Sequence, residues 1–278
     1  VFNILNTLEG IYMNDSNNVT ENWYLRKRKL IEKQILNGEN LTHKRKEFVS
    51  PDKNYILIIT PVAFEEDDRY WAYTIGKVFK KNKNKTGSLI TSIHRNSEKF
   101  PFVFFENHED GHDYFICGED YQGQTVVQLD TGKRIDYIGE KANRGMEFCW
   151  QKYHLSPNKK ILAVEGFSKN KPKDIIETNN IRFFNFESPM NMPLEEIGNR
   201  ISFHYSSGIA WQDDAHFTVS VIEDRRKEDL KRVRDLPNGE RLECLENNNY
   251  GRRNVVYSVP IEGSEEDIKE VYSEWIST

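Results

Sequence analysis

An all-β fold built from a repeated unit is predicted by three observations. The first is a polar turn leading into an apolar strand, which recurs about every fifty residues. It occurs at Ser50-Pro51-Asp52-Lys53 before Tyr55 to Ile59, and at His108-Glu109-Asp110-Gly111 before Tyr114 to Cys117. It returns at Ser156-Pro157-Asn158-Lys159 before Ile161 to Val164, and at Gln212-Asp213-Asp214 before Phe217 to Val219. The second is that the intervening apolar runs are short and bounded by Gly, Pro, Asn and Asp, which is the signature of strands joined by tight turns. The third is an aromatic content of 12% in a chain of mean hydropathy −0.74, enough bulky side chains to fill the space between stacked sheets beneath a polar surface. Together they predict a β-propeller of about five four-stranded blades. The 278 residues form one domain, with units at about 5–45, 46–99, 100–146, 147–200 and 201–278.

The first unit is the most diverged. Its apolar segments are Trp23-Tyr24-Leu25 and Leu30-Ile31, and the good helix formers over Trp23 to Leu36 leave an amphipathic helix as the alternative there. The second takes Lys46 to Val49, Tyr55 to Ile59, Tyr70 to Ile75 and Ser88 to His94, with the lysine-rich Lys77 to Lys85 as a solvated hairpin loop. The third reads most clearly: Phe100 to Phe105 with Pro101 near the strand start, Asp113 to Asp120, a turn at Tyr121-Gln122-Gly123, then Gln124 to Leu129. A turn at Asp130-Thr131-Gly132-Lys133 leads to its last strand, Arg134 to Ile138. The fourth takes Phe148 to Leu155, Lys160 to Glu165, Ile181 to Phe186 and Leu194 to Ile197, with Ser168 to Asn180 as a variable loop. The last takes Ile201 to Trp211, His216 to Glu223, Asn254 to Val259 and Ile268 to Trp275, leaving Arg225 to Arg253 as a charged insertion outside the core. Because an open ring would expose strand edges, pairing between the chain ends is expected to close it.

The Ser50-Pro51-Asp52-Lys53 and Ser156-Pro157-Asn158-Lys159 turns, with the strand and turn ending Leu129-Asp130-Thr131-Gly132-Lys133, resemble those of WD40-like propellers. The abundance of Asn and Lys resembles that of proteins encoded by AT-rich genomes, including large DNA viruses and protists.

A net charge of −5 lacks the positive field of a general nucleic-acid binder, so nucleic acid is disfavoured as a partner. Cys117, Cys149 and Cys244 are an odd set without CxxC spacing, which fits reduced thiols and a cytoplasmic location. No run is long enough to span a membrane, and Val1-Phe2-Asn3-Ile4 lacks the form of a signal peptide.

Acids placed after the second strand of several units, Glu65, Asp120, Glu165 and Asp224, would emerge on one face of a ring. Of these, Asp120, Glu165 and Asp224 are the candidate ligand-binding residues. Converging carboxylates can bind a cation or sugar, or act as an acid/base pair. His108-Glu109-Asp110-Gly111-His112-Asp113 is dense in metal-ligating types but has the composition of a tight turn, and it reads as a surface turn. Cys149-Trp150 and His154 sit in an apolar strand and read as core. The chain carries no P-loop, dinucleotide-binding glycine fingerprint, HExxH or GxSxG, so no catalytic residue, cofactor or metal is assigned. The expectation is a non-enzymatic binding or assembly platform with a protein partner. The alternative is a propeller enzyme such as a glycan hydrolase or lactonase with carboxylates at the channel mouth.

Overall fold

The computed structural model describes residues 33, 41–42, 45–66, 69–82, 85–95, 97, 99–119, 123–139, 148–170, 175–202 and 206–276. Among the described residues seventeen strands fall into four antiparallel sheets, three of them built in chain order and the first with β1 and β2 both paired to β3. The first contains β1 (Leu41–Thr42), β2 (Lys46–Val49), β3 (Tyr55–Glu66), β4 (Arg69–Asn82) and β5 (Lys85–Arg95). The second contains β6 (Phe102–Phe105), β7 (Tyr114–Glu119), β8 (Gly123–Gln128) and β9 (Arg134–Tyr137). The third contains β10 (Cys149–Leu155), β11 (Ile161–Asn170), β12 (Ile175–Asn185) and β13 (Glu196–Ser202). The fourth contains β14 (Ser206–Trp211), β15 (His216–Arg226), β16 (Tyr250–Pro260) and β17 (Lys269–Trp275). Between β15 and β16 lie a 3-10 turn, Val233–Asp235, and helix α1, Asn238–Glu246.

Strand alternation makes each middle sheet apolar on both faces, and that decides how the sheets stack. On β7, Phe115 and Cys117 face Tyr55, Leu57 and Ile59 of β3, while Tyr114 and Ile116 face Trp150, Leu162 and Val164 of the third sheet. On β11 the neighbouring Ala163 points the other way and joins Phe183, Phe217, Val219 and Val255 against the fourth sheet. Each sheet therefore packs face to face on the next in sequence, a propeller-like succession in which β10 lies against β6 and β7. Aromatic side chains carry much of this packing: Phe115 is fully buried with ring centroids 5.1 Å from Phe104 and 5.9 Å from Phe102.

The repeated turns have a common geometry. The Ser50 hydroxyl accepts the Tyr55 amide, Lys53 donates its amide to the Ser50 carbonyl, and Lys53 is left-handed at φ 62°. Ser156, Ile161 and Lys159, at φ 61°, repeat every one of these features. In the second sheet His108 stands where the serines do, and Gly111 (φ 83°) takes the left-handed position that glycine adopts without a Cβ clash.

Several boundaries differ from the sequence reading. Lys77 to Lys85 is mostly strand, because β4 runs on to Asn82 and β5 starts at Lys85. Ser168 to Asn180 is not a loop throughout, since β11 extends to Asn170 and β12 begins at Ile175. Ile201 belongs to β13, which ends at Ser202, rather than opening the last unit, and β14 begins at Ser206. Arg225 and Arg226 end β15, and Tyr250 to Arg253 begin β16, so the insertion is shorter and has a small core of Val233, Leu236, Cys244 and Tyr250. Four sheets are present among the described residues. Most of the first unit, 5–45, lies outside them, and Leu41–Thr42 pairs with Val62 and Ala63 of β3. Among the described residues β17 pairs with β16 alone, and Val1 to Gly10, expected to close the ring, lie outside them.

Candidate functional site

The turns between first and second strands meet at one end of the molecule. The Asp52 amide donates to Glu106 Oε2 at 2.8 Å, and the Ser50 hydroxyl donates to Glu106 Oε1 at 2.9 Å. One unit further on, the Asn158 amide donates to Asp214 Oδ1 at 2.8 Å. The third residue of each Ser-Pro-Asp/Asn-Lys turn thus offers its N–H to a carboxylate of the next unit in chain order. Asn107 donates from Nδ2 to Asp52, and the Lys159 ammonium donates to the Asn107 carbonyl, so four consecutive turns are linked. Sequence reading located the turns but not these contacts. The signal was the matched third position, Asp52 and Asn158, with an acid close to one repeat later.

His108 belongs to this end as a packing residue. Its ring is buried edge-on to Tyr114 and Phe186, 5.4 Å from each, and its Nε2 lies 3.0 Å from the Phe186 carbonyl. The cluster around it is a turn, as expected, and no group of three metal-ligating side chains occurs among the described residues. Asp110 accepts the Tyr114 hydroxyl and the His112 amide. Burial alone would raise the Asp110 carboxyl, but these bonds and His108 hold it below the usual range.

The carboxylates chosen from sequence differ in their surroundings. Asp120 lies outside the described residues. Glu165 sits inside β11, directly across from Lys152 of β10, because the Ser156 to Lys160 turn fixes Leu155 opposite Leu162 and the ladder runs without a shift from there to Lys152. Its Oε1 is 2.8 Å from His154 Nε2 and its Oε2 is 3.2 Å from Lys152 Nζ, with 13% of the side chain exposed. Burial pushes this carboxyl up, but the bonds from His154 and Lys152 outweigh burial and hold it below the usual range. His154 is itself fixed, edge-on to Phe217 at 6.2 Å, and its carbonyl accepts Trp211 Nε1 at 3.1 Å. The pair therefore lies where the third sheet meets the fourth.

Asp224, near the end of β15, is exposed and lies across from Arg252, Oδ1 to Nε 3.8 Å. The Glu223 side chain beside it is largely buried and pairs with Arg225 at 2.6 Å, while Arg225 also bonds the Tyr257 hydroxyl and Glu270 at 3.2 Å. Burial and Glu223 push the Tyr257 hydroxyl up to about 12. This network braces the base of the β15–β16 excursion.

If the four turns share one end, antiparallel strands send the hairpins between second and third strands to the other. Three of those hairpins are long: β3 and β4 have 12 and 14 residues, β11 and β12 have 10 and 11, and β15 and β16 have 11 each, whereas β7 and β8 have 6 each. The first strands beside them, β2, β6, β10 and β14, have 4, 4, 7 and 6 residues. The molecule has a short, cross-bonded face and a long-armed one.

These features define an all-β protein of repeated four-stranded units with a propeller-like succession of sheets. No family model matches the chain. Over 128 residues it is 29% identical to an uncharacterised protein of Acanthamoeba polyphaga mimivirus, covering 46% of this chain and 47% of that protein. The match thus spans about half the length of that relative, and its viral source agrees with the compositional expectation. Among solved structures the chain is similar to the crystal structure of the tricorn protease, with 8% identity, a TM-score of 0.37, and coverage of 84% of this chain and 31% of that one. No helix among the described residues is long and apolar enough to cross a membrane.

Proposed function

We propose that the chain is a non-enzymatic binding or assembly platform for a protein partner in the cytoplasm, built on a WD40-like propeller of about five units. The observation that carries this reading is the asymmetry of the two faces. One is closed by turn-to-turn hydrogen bonds. The other projects three long hairpins, the last bearing an excursion with its own small core. Loops and arms on a rigid scaffold are where binding residues concentrate. The chemistry at the candidate carboxylates supports the same reading, since Glu165 is held by His154 and Lys152 and Asp224 faces Arg252 in solvent.

The test is affinity purification from native cells followed by mass spectrometry, with wild type and a variant in which Arg226 and Tyr250 are joined by an Asn-Gly turn. The expected result is a reproducible protein partner that the shortened variant loses or binds at least tenfold more weakly. Turnover of a glycoside or lactone that Glu165→Gln abolishes would overturn the reading in favour of an enzyme.

A further inference from the structure

The last strand of each sheet forms an edge of it, and these edges are not alike. Among described side chains, β5 exposes one large apolar residue, Leu89, and β9 and β13 expose none. On β17, by contrast, Val271, Tyr272 and Trp275 are 54%, 52% and 44% exposed. Its inner side is paired with β16, and its other side has no strand partner among the described residues. Such an edge is a template for a further strand.

A bulge sets the pattern of side chains on that edge. Glu274 lies opposite Asn254 and Tyr272 opposite Val256, but the register then shifts, so Lys269 lies opposite Ser258. Asn254, Val256 and Ser258 share one face of β16, so Lys269, Tyr272 and Glu274 share one face of β17. Regular alternation would have put Lys269 on the opposite face from Glu274. A lysine and a bulge ordinarily blunt an edge. Here the bulge instead brings the lysine onto the face of the only acid it could meet in a self-pairing.

We propose that β17 pairs antiparallel with β17 of a second copy, about a two-fold axis passing between Val271 and Tyr272. In that register Lys269 of each copy faces Glu274 of the other, Glu270 faces Ser273, and Val271 faces Tyr272. A two-fold axis perpendicular to the sheet keeps each residue on its own face, and the face assignments agree for both polar pairs. Both charged pairs are therefore complementary, and the exposed apolar pair is covered twice. Such isologous contacts are the commonest route to dimers. One strand from each copy makes a small interface, so the dissociation constant falls in about the micromolar range. The inference is independent of the partner-binding reading above.

Sedimentation equilibrium of the 278-residue chain tests it, using wild type, Lys269→Glu, Glu274→Lys and the double swap. Wild type should show a concentration-dependent mass approaching twice 32.8 kDa. Each single reversal opposes like charges at both symmetric positions and should weaken dimerisation by roughly tenfold or more, since such pairs are worth a few tenths to about 1 kcal/mol each. The double swap should restore it to within about threefold of wild type. A monomer at every concentration up to several hundred micromolar would overturn the proposal. So would a dimer insensitive to the single reversals, or a double swap no better than either.

Discussion

Replacing Glu165 by Gln separates a structural carboxylate from a reactive one. Gln keeps an oxygen for His154 but exchanges a charged acceptor for a neutral one, and hydrogen bonds to charged groups are about twice as strong as neutral ones. Losing that increment across the 2.8 Å contact costs about 1 kcal/mol. The Lys152 contact adds only a few tenths, because its side chain is 67% exposed and surface pairs are worth roughly 0–1 kcal/mol. The new amide N–H₂ must also be satisfied beside Ile181, so the total is about 1–2 kcal/mol of stability at pH 7. The sign of the pH dependence follows from the lowered carboxyl. A group whose folded value is depressed contributes fully above its unfolded value, about 4.3, and the contribution disappears as pH falls through the folded value. Urea denaturation of both proteins at several pH values should therefore show a wild-type advantage that is full above about pH 5 and shrinks towards pH 3. An unchanged midpoint at pH 7, or a gap that stays constant down to pH 3, would refute the reasoning and free Glu165 for a chemical role.

Phe115→Ala should cost about 3–5 kcal/mol in the same denaturation assay, because the ring is fully buried between two sheets; a loss under about 1 kcal/mol would mean that those sheets do not pack through it. Gly123→Ala should destabilise by at least about 1–2 kcal/mol, since Gly123 sits at φ 138° and an added Cβ would come 1.9 Å from the Tyr137 carbonyl oxygen; an unaltered thermal midpoint would contradict that geometry. Tyr73 and Tyr257 should diverge on replacement by Phe. The buried Tyr73 hydroxyl finds no hydrogen-bond partner among the described residues, so Tyr73→Phe should raise stability by about 1 kcal/mol, whereas Tyr257→Phe loses bonds to Arg225 and Glu223 and should lower it by about 1–2 kcal/mol. Equal effects in thermal melts would refute the assignment.

The parts of the fold legible in the sequence were those where one residue type answers one local demand. Ser-Pro-Asp/Asn-Lys turns could be read because the serine hydroxyl, the proline φ and the following polar residue each satisfy the same turn. The third unit could be read almost to the residue because Gly123 and Gly132 mark its hairpins. Strand lengths were harder wherever strands leave the core. Beyond Ile59, β3 passes through Pro61, which argues against strand by itself, yet Pro61 falls between the stretch paired by β2 and that paired by β1. The ends of β11 and β15 and the start of β16 are polar, so apolar alternation fades there while the ladder continues. At the site, Glu165 could be chosen by position, but its partners could not, because Lys152 and His154 lie on the other strand of the hairpin and meet it only through the register that the Ser156 to Lys160 turn sets.

The same logic explains why the two ends of the molecule differ so much. At the turn end each unit must satisfy its own backbone and also meet the next unit, so Glu106 and Asp214 are tied to amides of Asp52 and Asn158 in neighbouring units. Changing one of these residues strands a polar group on another unit, which makes the end costly to vary. At the hairpin end a strand pair can lengthen by adding ladder bonds that concern only itself, as Asp224 with Arg252 and Glu223 with Arg253 show. Extra residues there leave the sheet-to-sheet core untouched, and the β15–β16 excursion can carry a helix while Phe217, Val219 and Val255 remain fully packed. Recognition features could therefore accumulate on the long arms without loss of the framework that holds them, which is the physical reason that the proposed partner surface is sought there rather than among the turns.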